Sequence, residues 1–176
     1  LQSAYGQCRH YKYYGSRNNG GYTKYIAVKA WNVLPLPNEV NPLDGALIEP
    51  AAVVLHGLTR LGLIKAEGTR ELLILGAGFL GILSAEILNL LRPDIKITIA
   101  DRNQYKLDLI AEKVTSTVLL VQNEELEHFS TKNDSAFDAI IELTGSPSVF
   151  RESIQLVRPG GSILWMGNPE SDLLIP

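Results

Sequence analysis

The 176-residue sequence contains one cysteine, Cys8, and one methionine, Met166. A single cysteine excludes an internal disulfide, and we therefore expect a reducing, cytoplasmic environment. No apolar run approaches the ~20 residues that span a bilayer, so we expect no membrane contact. Because the chain begins at Leu1 and its only methionine lies near its end, we expect it to be a piece of a longer protein.

The charge composition argues against nucleic acid as a partner, because the formal net charge is only -3 at pH 7. The first 38 residues differ from the rest, since they are rich in tyrosine and contain no acidic residue before Glu39. Cations among aromatic rings can bind nucleic acid by stacking and phosphate contacts. We favour instead an exposed loop and a strand that pack on further parts of the protein. A narrower hypothesis places Arg17 against a substrate phosphate.

From residue 43 onward, the pattern alternates between helices and short apolar strands. Helices are predicted over 43–62, 79–92, 103–114 and 147–157, and strands over 71–76, 95–101, 117–121, 137–145 and 160–167. Strands without polar alternation are typical of a parallel sheet covered on both faces. We therefore predict an α/β, Rossmann-like doubly wound domain over 43–176 that lacks its last strand. Before it, 22–30 is predicted to be a strand and 35–42 a prolyl connection.

Three glycines, Gly76, Gly78 and Gly81, stand in the otherwise apolar segment "ILGAGFLGILSAEIL" and match G-x-G-x-x-G. The motif follows a predicted strand and opens a predicted helix, which is the context of a dinucleotide-binding turn. Gly76 would allow the tight turn, Gly78 the approach of a pyrophosphate, and Gly81 close packing of helix on strand. The helix N-terminus, which includes Phe79 and Leu80, would offer N–H groups to the phosphates.

A second signal is Asp101, which ends the next predicted strand 20 residues after Gly81. An acid at this place binds the ribose hydroxyls and repels a 2′-phosphate, by roughly 4 kcal/mol for unit charges 4 Å apart at an effective dielectric near 20. NAD is therefore expected rather than NADP, although the neighbouring Arg102 would favour a 2′-phosphate. The competing interpretation is a glycine-rich turn without a ligand, which we give less weight because strand, motif, helix and acid are all in register.

Several longer segments occur in the order seen in zinc-dependent medium-chain alcohol dehydrogenases. These are "YYGSRNNGGYTKYIAVKAWNVLPLPNEV", "ALIEPAAVVLHGL", "LILGAGFLGIL", "IELTGSP" and "LVRPGGSILWMGNP". Over nearly its whole length the chain resembles the polyol branch of that family. The resemblance implies that residues 1–42 are the tail of a β-rich, GroES-like catalytic domain and that 43–176 bind NAD.

The resemblance also implies roles for individual residues. Lys106 would pair with Asp101 on the adenosine side, Thr144 and Gly145 would form a turn close to the cofactor, and Gly167 and Asn168 would lie near the nicotinamide. Glu49 would act at the catalytic zinc and Cys8 at the structural zinc.

The other zinc ligands of the family would lie before Leu1, so this chain alone is expected to be inactive. The implied reaction is hydride transfer to NAD from a secondary alcohol of a polyol or polyol phosphate, with zinc lowering the pKa of the substrate hydroxyl. The implied enzyme is a homo-oligomer, a dimer or tetramer. Two alternatives are a zinc-free quinone or enone reductase that uses NAD(P)H and a non-enzymatic dinucleotide-binding domain.

Overall fold

The computed structural model describes residues 9–65, 68 and 71–169. They form two compact units, divided between Gly45 and Ala46. The first unit includes a tight turn at Gly15, which has a φ of 89°. Its described helical segments are a 3-10 turn, Ala30–Asn32, and the four-residue helix α1 (Pro42–Gly45).

The strand predicted over 22–30 is wrong. Its β-branched and aromatic residues favour an extended backbone, but a strand also needs a neighbour that accepts and donates ladder hydrogen bonds. In the described part of the first unit the only bridge is an isolated one between Tyr14 and Asn18. Tyr22 and Tyr25 are largely exposed there.

The second unit is a five-stranded parallel sheet flanked by helices, which confirms the predicted Rossmann-like α/β fold. Its strands are β1 (Glu71–Leu75), β2 (Lys96–Asp101), β3 (Ser116–Leu119), β4 (Phe137–Glu142) and β5 (Val157–Trp165). Its helices are α2 (Ile48–Arg60), α3 (Phe79–Leu91), α4 (Gln104–Asp108), α5 (Asn123–Lys132) and α6 (Pro147–Leu156). No helix in the described residues combines the length and the apolar character needed to cross a bilayer.

The strand order is β3-β2-β1-β4-β5, with β1 at the centre. The chain therefore builds the sheet outward from β1 to β3 and then crosses to the other side of β1 for β4 and β5. Leu73 of β1 is in register with Thr98 of β2 on one side and with Ile140 of β4 on the other. In sheets of this kind the ligand crevice lies at the carboxyl ends of the strands, where the order reverses.

The hydrophobic core lies on both faces of the sheet, which explains why the central strand β1 is apolar from Leu72 to Leu75. Leu72 and Ile74 of β1 pack with Leu58 of α2 and Leu88 of α3. The alternate residues of β1 face the other side, where they join a cluster that includes Phe137, Ile140 and Leu156. Burial of β1 on both sides places its end, and the glycine turn after it, on a rigid support.

Two predicted helices are divided in the structure. The segment 43–62 forms α1 and then α2, where Pro50 is the third residue and its missing N–H costs no intrahelical bond. The segment 103–114 forms α4, which ends at Asp108, and then a separate 3-10 turn, Ala111–Lys113.

Candidate functional site

An open cavity of about 430 Å³ lies where β1, β2, β3 and β4 end. Cofactor and ligand pockets commonly measure about 300–1,000 Å³, so this volume suits a small molecule or part of a dinucleotide. The lining residues come from four chain segments, each at a strand end or helix start: Leu75, Gly76, Gly78; Ala100, Asp101, Arg102, Lys106; Leu120, Val121, Gln122, Asn123, Leu126; Leu143, Thr144, Ser146, Pro147, Ser148, Val149.

Three helices begin at this cavity. Gly78 is the N-cap of α3, Gln122 the N-cap of α5 and Ser146 the N-cap of α6, and all three residues line it. The first N–H groups of a helix have no intrahelical acceptor, and the helix dipole adds partial positive charge there. Three helix N-termini on one cavity favour an anionic ligand such as a phosphate.

The three glycines of the motif lie in three different local environments. Gly76 has a φ of 108°, a left-handed conformation that a side chain would strain. A methyl group on Gly78 would meet no atom within 4 Å, so open space faces it. A methyl group on Gly81 would overlap the carbonyl oxygen of Gly76, so the absence of a side chain lets α3 pack against the turn.

Asp101 connects the glycine turn to the segment after β2. Its Oδ2 accepts the N–H of Ala77 at 2.8 Å and its Oδ1 accepts the N–H of Asn103 at 2.9 Å. The Nζ of Lys106 lies 3.7 Å from Oδ2, and the Asp101 side chain is only 8% exposed. The negative charge is therefore held at the cavity wall with one partly exposed cation beside it.

The twelve predicted cofactor residues divide into three groups. Six of them come together as lining of the cavity, namely Gly76, Gly78, Asp101, Arg102, Lys106 and Thr144. Phe79, Leu80 and Gly81 form the first turn of α3 without lining it. The remaining three, Gly145, Gly167 and Asn168, pack on one another beside it, since a methyl group on Gly145 would overlap the carbonyl oxygen of Asn168.

Three features of the site were not predicted. Glu142, the last residue of β4, is completely buried, and its Oε1 accepts the N–H groups of Thr144 at 2.7 Å and Gly145 at 3.1 Å. The starts of α5 and α6 also line the cavity. No local pattern in the sequence signals the burial of Glu142, whereas Pro147, the first residue of the predicted helix 147–157, marks the start of α6.

Of the two residues predicted to act at metals, the structure describes one, Glu49. Glu49 is exposed in the first turn of α2, and Cys8 lies outside the described residues. Within residues 9–65, 68 and 71–169, no three His, Cys, Asp or Glu side chains lie close enough to hold a metal ion. The described residues therefore supply one candidate zinc ligand and not a complete site.

Arg17, the candidate for a substrate phosphate, packs within the first unit. Its guanidinium lies 4.4 Å from the ring centroid of Tyr11 and donates a hydrogen bond of 3.1 Å to the carbonyl oxygen of Tyr11. Such a cation–π contact orients the guanidinium while the side chain stays exposed.

No protein-family profile matches the chain, but individual proteins do. It is 27% identical over 170 residues to an L-threonine 3-dehydrogenase of Yersinia pestis (strain Pestoides F), covering 96% of this chain and 48% of the relative. It is 29% identical over 166 residues to D-arabinitol dehydrogenase 1 of Uromyces fabae, covering 91% and 46%. The chain thus spans about half the length of the curated relatives it matches.

Two solved structures share the fold at 27% sequence identity. Galactitol-1-phosphate dehydrogenase from Escherichia coli superimposes with a TM-score of 0.80, covering 98% of this chain and 49% of that one. A protein described as a zinc-binding dehydrogenase from Sinorhizobium meliloti 1021, bound to NADP, does so with a TM-score of 0.82, covering 97% and 50%. These matches confirm the predicted resemblance to zinc-dependent medium-chain alcohol dehydrogenases, and they support a dinucleotide cofactor.

Proposed function

We propose that the full-length protein is an NAD-dependent oxidoreductase that oxidises a secondary alcohol of a polyol or polyol phosphate, and that residues 43–176 belong to its NAD-binding domain. The observation that carries the proposal is the cavity at which three helix N-termini, the open space at Gly78 and the carboxylate of Asp101 meet. The names of the similar proteins, which include galactitol-1-phosphate and D-arabinitol dehydrogenases, support the substrate class.

The described residues fit a dinucleotide. The pyrophosphate would lie at Gly78, where the backbone is accessible and the N-terminus of α3 offers its N–H groups. The adenosine ribose would donate its hydroxyl hydrogens to Asp101, whose charge disfavours the 2′-phosphate of NADP. Thr144 and Gly145 would contact the nicotinamide half. NAD supplies the hydride acceptor, while the protein orients it and excludes water.

The proposal that the enzyme uses zinc depends on the family resemblance. Glu49 would contribute its carboxylate at the catalytic metal, and Cys8 its thiolate at a structural one, with the remaining ligands supplied from outside this chain. We further propose that the first unit is the end of the catalytic domain, and that the enzyme works in the cytoplasm as a homo-oligomer.

The test is hydride transfer by the full-length protein, with NAD and a panel of secondary alcohols that includes galactitol 1-phosphate, D-arabinitol and L-threonine. We expect NADH to form with a polyol or its phosphate, activity to be lost on treatment with a chelator, and zinc to restore it. Activity that resists chelation, on quinones or enones, would establish the zinc-free reductase instead. Dinucleotide binding without any hydride transfer would establish a non-enzymatic domain.

A further inference from the structure

Glu142, the last residue of β4, is completely buried. The proposed function assigns no role to this acid. Its Oε1 accepts three hydrogen bonds from the next turn, namely from the N–H of Thr144, the hydroxyl of Thr144 and the N–H of Gly145. Hydrogen bonds to a charged acceptor are about twice as strong as those between neutral groups. One carboxylate oxygen therefore holds the conformation of the whole Thr144–Gly145 turn.

The second oxygen of Glu142 has no such partner. Oε2 is buried and accepts no hydrogen bond from the residues that the structure describes. It faces the Cα of Gly167, since a methyl group built there would come within 2.6 Å of it. A buried polar atom left without a hydrogen bond is uncommon in native proteins and calls for a reason.

The backbone of Glu142 also forms hydrogen bonds with the segment that follows β5. Its carbonyl oxygen accepts the N–H of Met166 at 2.9 Å and the N–H of Gly167 at 3.0 Å. Gly145 has a φ of 71° and touches the backbone of Asn168 so closely that no side chain could be added. Glu142 thus lies at the junction of the two chain segments that follow β4 and β5.

This junction is continuous with the wall of the cavity. Thr144 lines the cavity, and its methyl carbon lies 3.3 Å from where a Cβ of Gly76 would stand. We infer that Glu142 is a positioning residue for the nicotinamide half of the cofactor. It acts by holding the Thr144–Gly145 turn, which packs against Gly167 and Asn168. The inference rests on the proposed function and adds to it a buried group that does not touch the cofactor.

The placement of Glu142 makes its effect selective. Gly78, which would hold the pyrophosphate, follows β1, and Asp101, which would hold the adenosine ribose, is the last residue of β2. Glu142 makes its side-chain hydrogen bonds only within the segment after β4, among the described residues. Loss of the Glu142 charge should therefore weaken the binding of a ligand that contains nicotinamide more than the binding of a ligand that lacks it.

The experiment compares NADH with ADP-ribose, which lacks the nicotinamide, by calorimetric titration of the full-length protein and its Glu142→Gln variant. Glutamine keeps the shape and its amide oxygen can still accept from the turn, but the charge is lost and an NH₂ group replaces Oε2 against Gly167. We expect NADH to bind at least tenfold more weakly and ADP-ribose to bind within twofold of the unsubstituted protein. Thr144→Val removes the hydroxyl that donates to Glu142 and accepts the N–H of Ser146, and it leaves the two backbone hydrogen bonds to Glu142 in place. It should give a smaller loss of the same selectivity.

Asp138→Asn is the matched control. Asp138 is a partly buried acid near the opposite end of β4, where its Oδ2 accepts the N–H of Glu71 at 3.0 Å and its Oδ1 pairs with Arg158. We expect this variant to lower thermal stability and leave the ratio of the two affinities unchanged.

Equal weakening of both ligands by Glu142→Gln, or weakening of neither, would overturn the positioning role. If the unsubstituted protein binds neither ligand, the proposed function itself fails and the inference fails with it. A failure of the proposed function is detected with the unsubstituted protein, whereas a failure of the positioning role is detected only with Glu142→Gln. The two failures are therefore distinguishable.

Discussion

Gly78 and Gly81 lie three residues apart, one facing open space and the other facing the carbonyl oxygen of Gly76. Gly81→Ala should lower the free energy of unfolding by about 1–3 kcal/mol, the usual cost of overpacking, because its methyl group must displace the turn. Urea denaturation measures this effect. A Gly81→Ala variant as stable as the unsubstituted protein would contradict the close approach of α3 to the turn.

Gly78→Ala tests the other half of the motif. Gly78 has a φ of -74°, which alanine adopts freely, so we expect stability to change by less than about 1 kcal/mol. Its methyl group would project into the space proposed for the pyrophosphate, and we expect NADH to bind at least tenfold more weakly in calorimetric titration. Unchanged affinity would show that the backbone at Gly78 does not approach the ligand.

Asp101 carries the proposed preference for NAD over NADP. In Asp101→Asn the repulsion of a 2′-phosphate is removed while one side-chain oxygen remains to accept a backbone N–H. We expect NADH to bind more weakly and the NADPH-to-NADH affinity ratio to rise at least tenfold, which corresponds to about 1.4 kcal/mol. Asp94→Asn is the control, because that carboxylate pairs with Arg92 and does not line the cavity.

Among individual residues, the sequence predicted those that follow a recognisable spacing. Gly76, Gly78 and Asp101 were predicted to lie near one another, because the motif and the acid have fixed positions relative to a strand, and all three line the cavity. Glu142 was not found, because its importance depends on burial and on the hydrogen bonds of a turn two residues later. Neither property shows in a single acid at the end of an apolar run.

Among the elements, α5 was missed because its sequence, "NEELEHFSTK", is largely polar. Its start is stabilised by Glu125, whose Oε2 accepts the N–H groups of Val121 at 2.6 Å and Gln122 at 3.1 Å. The glutamate three residues after the N-cap is the signal that would have predicted this helix. The strand predicted over 22–30 was wrong for the opposite reason, since the local propensity was present but no pairing partner lies among residues 9–65, 68 and 71–169.

Glu125→Ala should therefore lower the free energy of unfolding by about 1 kcal/mol, the typical contribution of a helix cap. Glu124→Ala is the control, because Glu124 lies in the same first turn and should contribute only a few tenths of a kcal/mol through the helix dipole. Urea denaturation of both variants measures the difference. Equal losses would show that the hydrogen bonds of Glu125 do not stabilise the start of α5.

The arrangement of the second unit was predictable at the scale of the whole molecule. Alternating apolar strands and helices indicated a parallel sheet, and the order β3-β2-β1-β4-β5 places the glycine turn at the reversal point. The meeting of three helix N-termini at one cavity could not be predicted, because it depends on how each crossover returns to the sheet. A zinc site was predicted only by resemblance, and the described residues contain no group of three His, Cys, Asp or Glu side chains that could hold a metal ion.

The most direct test of the account is a calorimetric titration of NADH and NADPH into the full-length protein. We predict one NADH bound per chain, displaced by ADP-ribose, with NADPH at least tenfold weaker. A folded protein that binds neither dinucleotide would contradict the central claim that the cavity at the end of the sheet holds a nicotinamide cofactor.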